Sequence, residues 1–177
     1  MTGVLENAWR ILNFTKNLQV RIMRFLNDEF LVGVTGIIFN NKNKVLLVKH
    51  TYRNLEWSLP GGYLKAKEHP TEGLEREILE ETGFTVSIDK LLKIRTDRET
   101  GRLDMCYFGT FIGGDFKKNN EVVDFQFCEF DQLPVLIPDQ VLFIKQAYEK
   151  RKQILKHLDN AAQDRNLNWL RKLLKNN

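Results

Sequence analysis

Residues 62–84 read GYLKAKEHPTEGLEREILEETGF. Glu77, Glu80 and Glu81 fall close together there, soon after the turn Pro60-Gly61-Gly62. Pro70 suits a first helical position and Gly83 the residue just past a helix end, so a helix is predicted over 70–82. A helix turns about 100° per residue, which stacks Glu77 and Glu81 on one face, with Glu80 at its border. Leu74 and Ile78 share a different face, suited to the core. Like charges at this spacing destabilise a helix, and a solvated helix usually offsets Glu with Lys four residues on. Here those positions hold Glu81 and Phe84, and only Arg76 pairs within the helix, with Glu80. Two readings follow: an acidic solvated face, or an unneutralised pair, Glu77 and Glu81, that binds a hard divalent cation. Mg²⁺ takes oxygen ligands, usually one or two carboxylates with water and substrate phosphate. A carbonyl of the Gly61-Gly62 turn adds another oxygen, because glycine permits close approach. His69 is a weaker cap than Ser, Thr or Asp, and Gly73 inside a helix costs about 1 kcal/mol relative to Ala.

Outward from this segment the texture alternates. FLVGVTGIIF (30–39), NNKNK (40–44) and VLLVKH (45–50) read as strand, turn and strand, a hairpin. EWSLP (56–60) is short and extended. FTVSIDKLLKIRT (84–96) reads as strand, turn, strand; MCYFGTFIG (105–113) and VVDFQFCEF (122–130) are further strands. Their alternation is imperfect, as in a sheet covered on both faces. Helix resumes near Pro138 and runs to about His157, with a further helical turn or two in LNWLRKLL (167–174). Before the first strand, Ile11, Phe14, Leu18, Ile22 and Phe25 step by three and four, an amphipathic helix expected to dock on the domain or on a second subunit. The class is α/β, a mixed sheet with helices packed against it.

The chain has 177 residues, 42% hydrophobic and 28% charged, which fits one soluble domain with a real core. No apolar run approaches the roughly 18 residues of a membrane span. The start lacks a secretory pattern, and a cytoplasmic location is expected. Cys106 and Cys128 are read as buried free thiols. The net charge of +4 resides in the C-terminal segment, which holds nine Lys/Arg and three Asp/Glu from Lys145 onward. Such a basic stretch is either a solvated helix face or a nucleic-acid contact.

The quoted segment resembles the Nudix box of the Nudix hydrolases. That pattern is Gly, five residues, Glu, seven residues, Arg-Glu, an aliphatic residue, any residue, Glu-Glu, any residue, Gly and a bulky apolar residue. Gly62, Glu68, Arg76, Glu77, Ile78, Glu80, Glu81, Gly83 and Phe84 fill every position. Seven fixed identities at roughly one in fifteen each match by chance on the order of 10⁻⁸ per start position. The resemblance implies a Nudix-like α/β/α sandwich over residues 30–155, with an appended helix in 1–29 and a basic helical tail in 156–177. It also implies Mg²⁺-dependent hydrolysis, Mn²⁺ substituting, of a nucleoside diphosphate linked to another group. By resemblance, Glu77, Glu81 and the Gly62 carbonyl hold the metal. Glu80 is a third ligand or the base, Arg76 clamps a neighbouring carboxylate, and Glu68 orients water. Glu121, before the strand at 122, is either the base from a distant loop or a polar strand start.

The substrate is less legible. Proline, tyrosine and upstream signatures of the ADP-ribose, diadenosine-polyphosphate, NADH and coenzyme A types are absent, which favours an NTP, a nucleotide sugar or a CDP-alcohol. Arg53 is a phosphate contact or a solvated loop residue. Trp57 and Tyr52 stack on a base, or Trp57 packs beside the turn. Asp104 reads a base edge or begins a strand. Two rivals remain, RNA 5′-end pyrophosphate removal using the basic tail, and a non-catalytic nucleotide sensor. A homodimer is left open.

Overall fold

β-Branched and aromatic runs become strands where both their faces can be covered. The computed structural model describes residues 16–26, 30–51 and 56–175. In chain order these form α1 (Lys16–Leu26), β1 (Leu31–Phe39), β2 (Val45–His50), β3 (Trp57–Ser58), β4 (Gly61–Tyr63), α2 (Pro70–Thr82), β5 (Phe84–Asp97), β6 (Arg102–Gly114), β7 (Val122–Cys128), a 3₁₀ turn (Phe130–Gln132) and α3 (Pro138–Lys175). The seven strands make one mixed sheet. β1 runs parallel to β6 from Leu31↔Arg102 to Phe39↔Thr110. The other pairings are antiparallel.

Alternation along the central strands sends side chains into two cores. Ile37, Phe39, Val45, Leu47, Cys106 and Phe108 meet Ile144 and Ala147 of α3 on one face. Val34, Ile38, Leu46 and Tyr107 meet Leu74 and Ile78 of α2 on the other. The α/β/α sandwich is therefore built by period-two patterning on the strands and one apolar stripe per helix. Cys106 and Cys128 are both free and buried.

Several local expectations change. The hairpin survives as a single pair, Phe39↔Val45. The edge of β1 that would continue it is taken by β4, from Gly33↔Tyr63 to Thr35↔Gly61. β2 instead pairs with β3 and β7. Asn40 holds this corner, its Oδ1 accepting from the amides of Lys42 and Lys44. The turn expected within 84–96 is absent: β5 is continuous, and register shifts near Val86, Asp89 and Leu92 absorb its irregular pattern as bulges. The break expected after His157 is also absent, because α3 has no Gly or Pro after Pro138. In α1, Phe25 is 90% exposed and Leu26 69%, so these residues do not dock on the body of the domain. Ile11 and Phe14 lie outside the described residues.

α2 has the predicted bounds and stronger ends than expected. The His69 side chain accepts from the Thr71 amide, and Glu72 Oε2 accepts from the His69 amide at 3.2 Å, a working capping box. Gly83 closes the helix in the left-handed region, with φ 76°. Gly73 has a packing reason: a Cβ there would lie 2.3 Å from Leu64 Cδ2 and 2.9 Å from Glu68 Oε2. The loop that carries Glu68 thus rests directly on the helix backbone.

Replacing an unpacked interior helix glycine with alanine stabilises by about 1 kcal/mol. Gly73→Ala is expected to do the reverse, lowering stability by about 1–3 kcal/mol through overpacking. The midpoint of urea unfolding reads the sign, and a raised midpoint would show that the Leu64 loop yields.

Candidate active site

Glu77 and Glu80 of α2, and Glu68 from the loop before it, converge on Arg76. Its Nε donates to Glu68 Oε1 at 2.6 Å and its Nη2 to Glu68 Oε2 at 2.9 Å, a two-bond fork. Nη1 donates to Glu77 Oε1 at 2.7 Å and to Glu80 Oε2 at 2.9 Å. Nη2 also reaches the Tyr63 carbonyl at 3.2 Å, tying the helix to β4. The expected Arg76–Glu80 pair is present, but Arg76 serves three carboxylates. Its own pKa is pushed up, chiefly by the bond to Glu68. Glu68 is held down to about 2 by the Arg76 bond and then by the Lys65 amide. A carboxyl so acidic is ionised at neutral pH and accepts protons poorly.

Glu81 reaches the Gly61-Gly62 turn. It is 6% exposed, and its Oε2 accepts from the Gly61 amide at 3.2 Å. Gly61 has φ 147°, and a Cβ there would meet the Val34 carbonyl at 2.1 Å, so the turn requires glycine. At Gly62 a Cβ would lie 2.4 Å from Glu77 Oε2. The missing side chain is the space the Glu77 carboxylate uses. Among the described residues no three His, Cys, Asp or Glu side chains gather around one metal-sized point, and Glu77 and Glu80 lean on Arg76. The donor set nonetheless suits a hard cation: two carboxylates one turn apart, one of them buried, beside a glycine backbone that leaves room for them.

Glu121 is exposed at the start of β7. Its amide donates to Asn119 Oδ1 at 2.9 Å and its carbonyl accepts from the Thr51 amide at 3.1 Å. Asn119 also bonds the carbonyls of Glu80 and Glu81, so the 115–121 loop lies against the last turn of α2. Trp57 is half-buried and packs against the core under α3. Tyr52 and Arg53 lie outside the described residues.

A cavity of about 260 Å³ opens beside Gly61 and Gly62. Lys93 and Arg95 of β5, Arg102 and Asp104 of β6, and Gln140 and Phe143 of α3 line it. Arg102 binds Asp104, Nε to Oδ1 at 2.8 Å and Nη2 to Oδ2 at 2.9 Å. Arg95 pairs with Asp139, and Lys93 Nζ sits 5.5 Å from the Phe143 ring centre. Apart from Asp104, these residues were missed in the sequence. The available signal was period two: 93 and 95 on β5 and 102 and 104 on β6 line one face, with Arg95 opposite Asp104.

Residues 29–154 match the family model described as NUDIX domain. The chain is 32% identical over 120 residues to the ADP-ribose pyrophosphatase of Methanocaldococcus jannaschii, covering 64% of this chain and 70% of that one. It is 28% identical over 137 residues to a putative 8-oxo-dGTP diphosphatase of Bacillus subtilis, covering 76% and 84%. A solved UDP-X diphosphatase superposes with a TM-score of 0.62 at 25% identity, covering 78% of this chain and 73% of that one. With a complete box on a capped helix, a mixed sheet behind it and the family match across both, this chain belongs to the Nudix hydrolases, enzymes acting on pyrophosphate bonds.

Proposed function

We propose that the chain is a Mg²⁺-dependent pyrophosphohydrolase of small nucleoside diphosphate derivatives, working in the cytoplasm. The observation that carries this reading is the Glu77 carboxylate lying in the space a Gly62 side chain would fill, one turn from the buried Glu81. Glu77, Glu81 and the Gly62 carbonyl hold the ion, with Glu80 beside them. When bound, the ion offsets the charge of the diphosphate and of the attack on phosphorus. Arg76 keeps Glu77 and Glu80 oriented, and Glu68 in turn holds Arg76. Glu121 is assigned as the base. Glu68 is too acidic and Glu80 is paired with Arg76 and Lys65, whereas Glu121 has no ion-pair partner among the described residues.

The Arg102–Asp104 and Arg95–Asp139 pairs make the cavity polar, suited to a phosphate oxygen, a sugar hydroxyl or a base edge. The archaeal relative named ADP-ribose pyrophosphatase restores ADP-ribose to the candidates, despite the missing proline. The deciding assay is a phosphate-release panel of NTPs, nucleotide sugars, CDP-alcohols, ADP-ribose and 5′-triphosphate RNA, with and without Mg²⁺ or Mn²⁺. RNA stays on the panel because Arg151, Lys152 and Lys156 cluster with Tyr148 on α3. A steep loss of binding with salt would favour that substrate.

Glu77→Gln and Glu81→Gln are each expected to lower kcat by more than the roughly 100-fold lost when an outer partner of a metal ligand is removed. Far-UV circular dichroism should stay unchanged, and full activity of the double variant with Mg²⁺ present would overturn the metal assignment. Arg102→Gln is expected to raise KM by about 10-fold with a smaller effect on kcat, the worth of one charge-assisted hydrogen bond of roughly 1.5 kcal/mol. An unchanged KM would place the substrate outside the cavity.

A further inference from the structure

The carboxamide of Asn119 is bonded at every position it offers. Its Nδ2 donates to the carbonyls of Glu80 at 3.0 Å and Glu81 at 3.1 Å. Its Oδ1 accepts from the amides of Glu121 at 2.9 Å and Val122 at 2.7 Å. A primary amide has two N–H donors and two acceptor lone pairs, so its inventory is complete. The two ends of this brace belong to different layers. One is the last turn of α2, beside the acidic cluster. The other is the start of β7, where Val122 is fully buried.

We propose that Asn119 is a positioning residue for the hydrolysis, setting Glu121 in register with the carboxylates of α2. The proposal rests on the reading of Glu121 as base given above. Two further bonds hold the loop. The Lys117 amide donates to the Thr82 carbonyl at 2.9 Å, and Thr51 Oγ1 donates to the Asn120 carbonyl at 3.0 Å. Asn119 bonds the backbone of both Glu81 and Glu121. Residue type is constrained as well. Asp keeps the shape but sets a carboxylate against two carbonyl oxygens at the negative end of a helix dipole. Ala removes all four bonds.

The test uses the full chain and the best-hydrolysed compound of the panel. Asn119→Ala and Asn119→Asp are expected to lower kcat by about 10-fold or more while KM changes less than about twofold. In the Glu121→Gln background, Asn119→Ala should add almost nothing, because residues acting as a unit are non-additive. A purely stabilising cap would instead lower the unfolding midpoint and leave kcat of the folded protein unchanged, which overturns the proposal. So does a double variant whose losses multiply. Should Asn119→Ala not fold, the isosteric Asn119→Asp carries the same comparison. Wild-type activity in Glu121→Gln alone would refute the base assignment and with it the coupling. A wild-type chain inert on the whole panel would refute the small-nucleotide reading on which the proposal rests.

Discussion

The guanidinium of Arg76 is what makes the acidic face of α2 tolerable. Glu68, Glu77 and Glu80 each lie within 2.9 Å of one of its nitrogens, and the group is largely shielded from water. Without that charge, the largely covered Glu68 and Glu77 would repel one another, and the more exposed Glu80 would add a repulsion partly screened by water. With it, the loop before the helix, the helix and β4 are fastened at one point, because Arg76 also reaches the Tyr63 carbonyl. The crowding in the sequence is thus offset locally, and a function that needs concentrated negative charge becomes compatible with a stable helix.

Everything else about α2 keeps that point in place. The capping box and the left-handed Gly83 fix its ends. Leu74 and Ile78, both fully buried, press it on the sheet. Gly73, Gly61 and Gly62 remove side chains where backbone or carboxylate must come close. A glycine in a helix is unfavourable by propensity alone, but at Gly73 the packing of Leu64 and Glu68 outweighs the propensity.

The cavity is assembled differently. Its cationic side chains come from β5 and β6, and its far wall comes from α3. These elements are brought to the Gly61-Gly62 turn by the parallel pairing of β1 with β6 and by the antiparallel ladder of β1 with β4. The two halves of the site therefore have separate origins, one local to the box and one created by the sheet. Arg95 and Asp139 meet across 44 residues, and no local pattern announces such a pair.

From residues alone, the helix over 70–82, its proline start and glycine stop, the acidic face and the two buried thiols could be read, because each depends on neighbours within a few residues. The family resemblance came from the same short-range spacing. Strand partners could not be read. Whether 84–96 turned or ran on, and whether the 30–50 segment stayed a hairpin, depended on which edges other strands occupied. The placement of Arg102, Asp104 and Asn119 was decided only in three dimensions. Hydrogen-bond ladders and buried surfaces join segments distant in the chain, and their energies appear only when those segments meet.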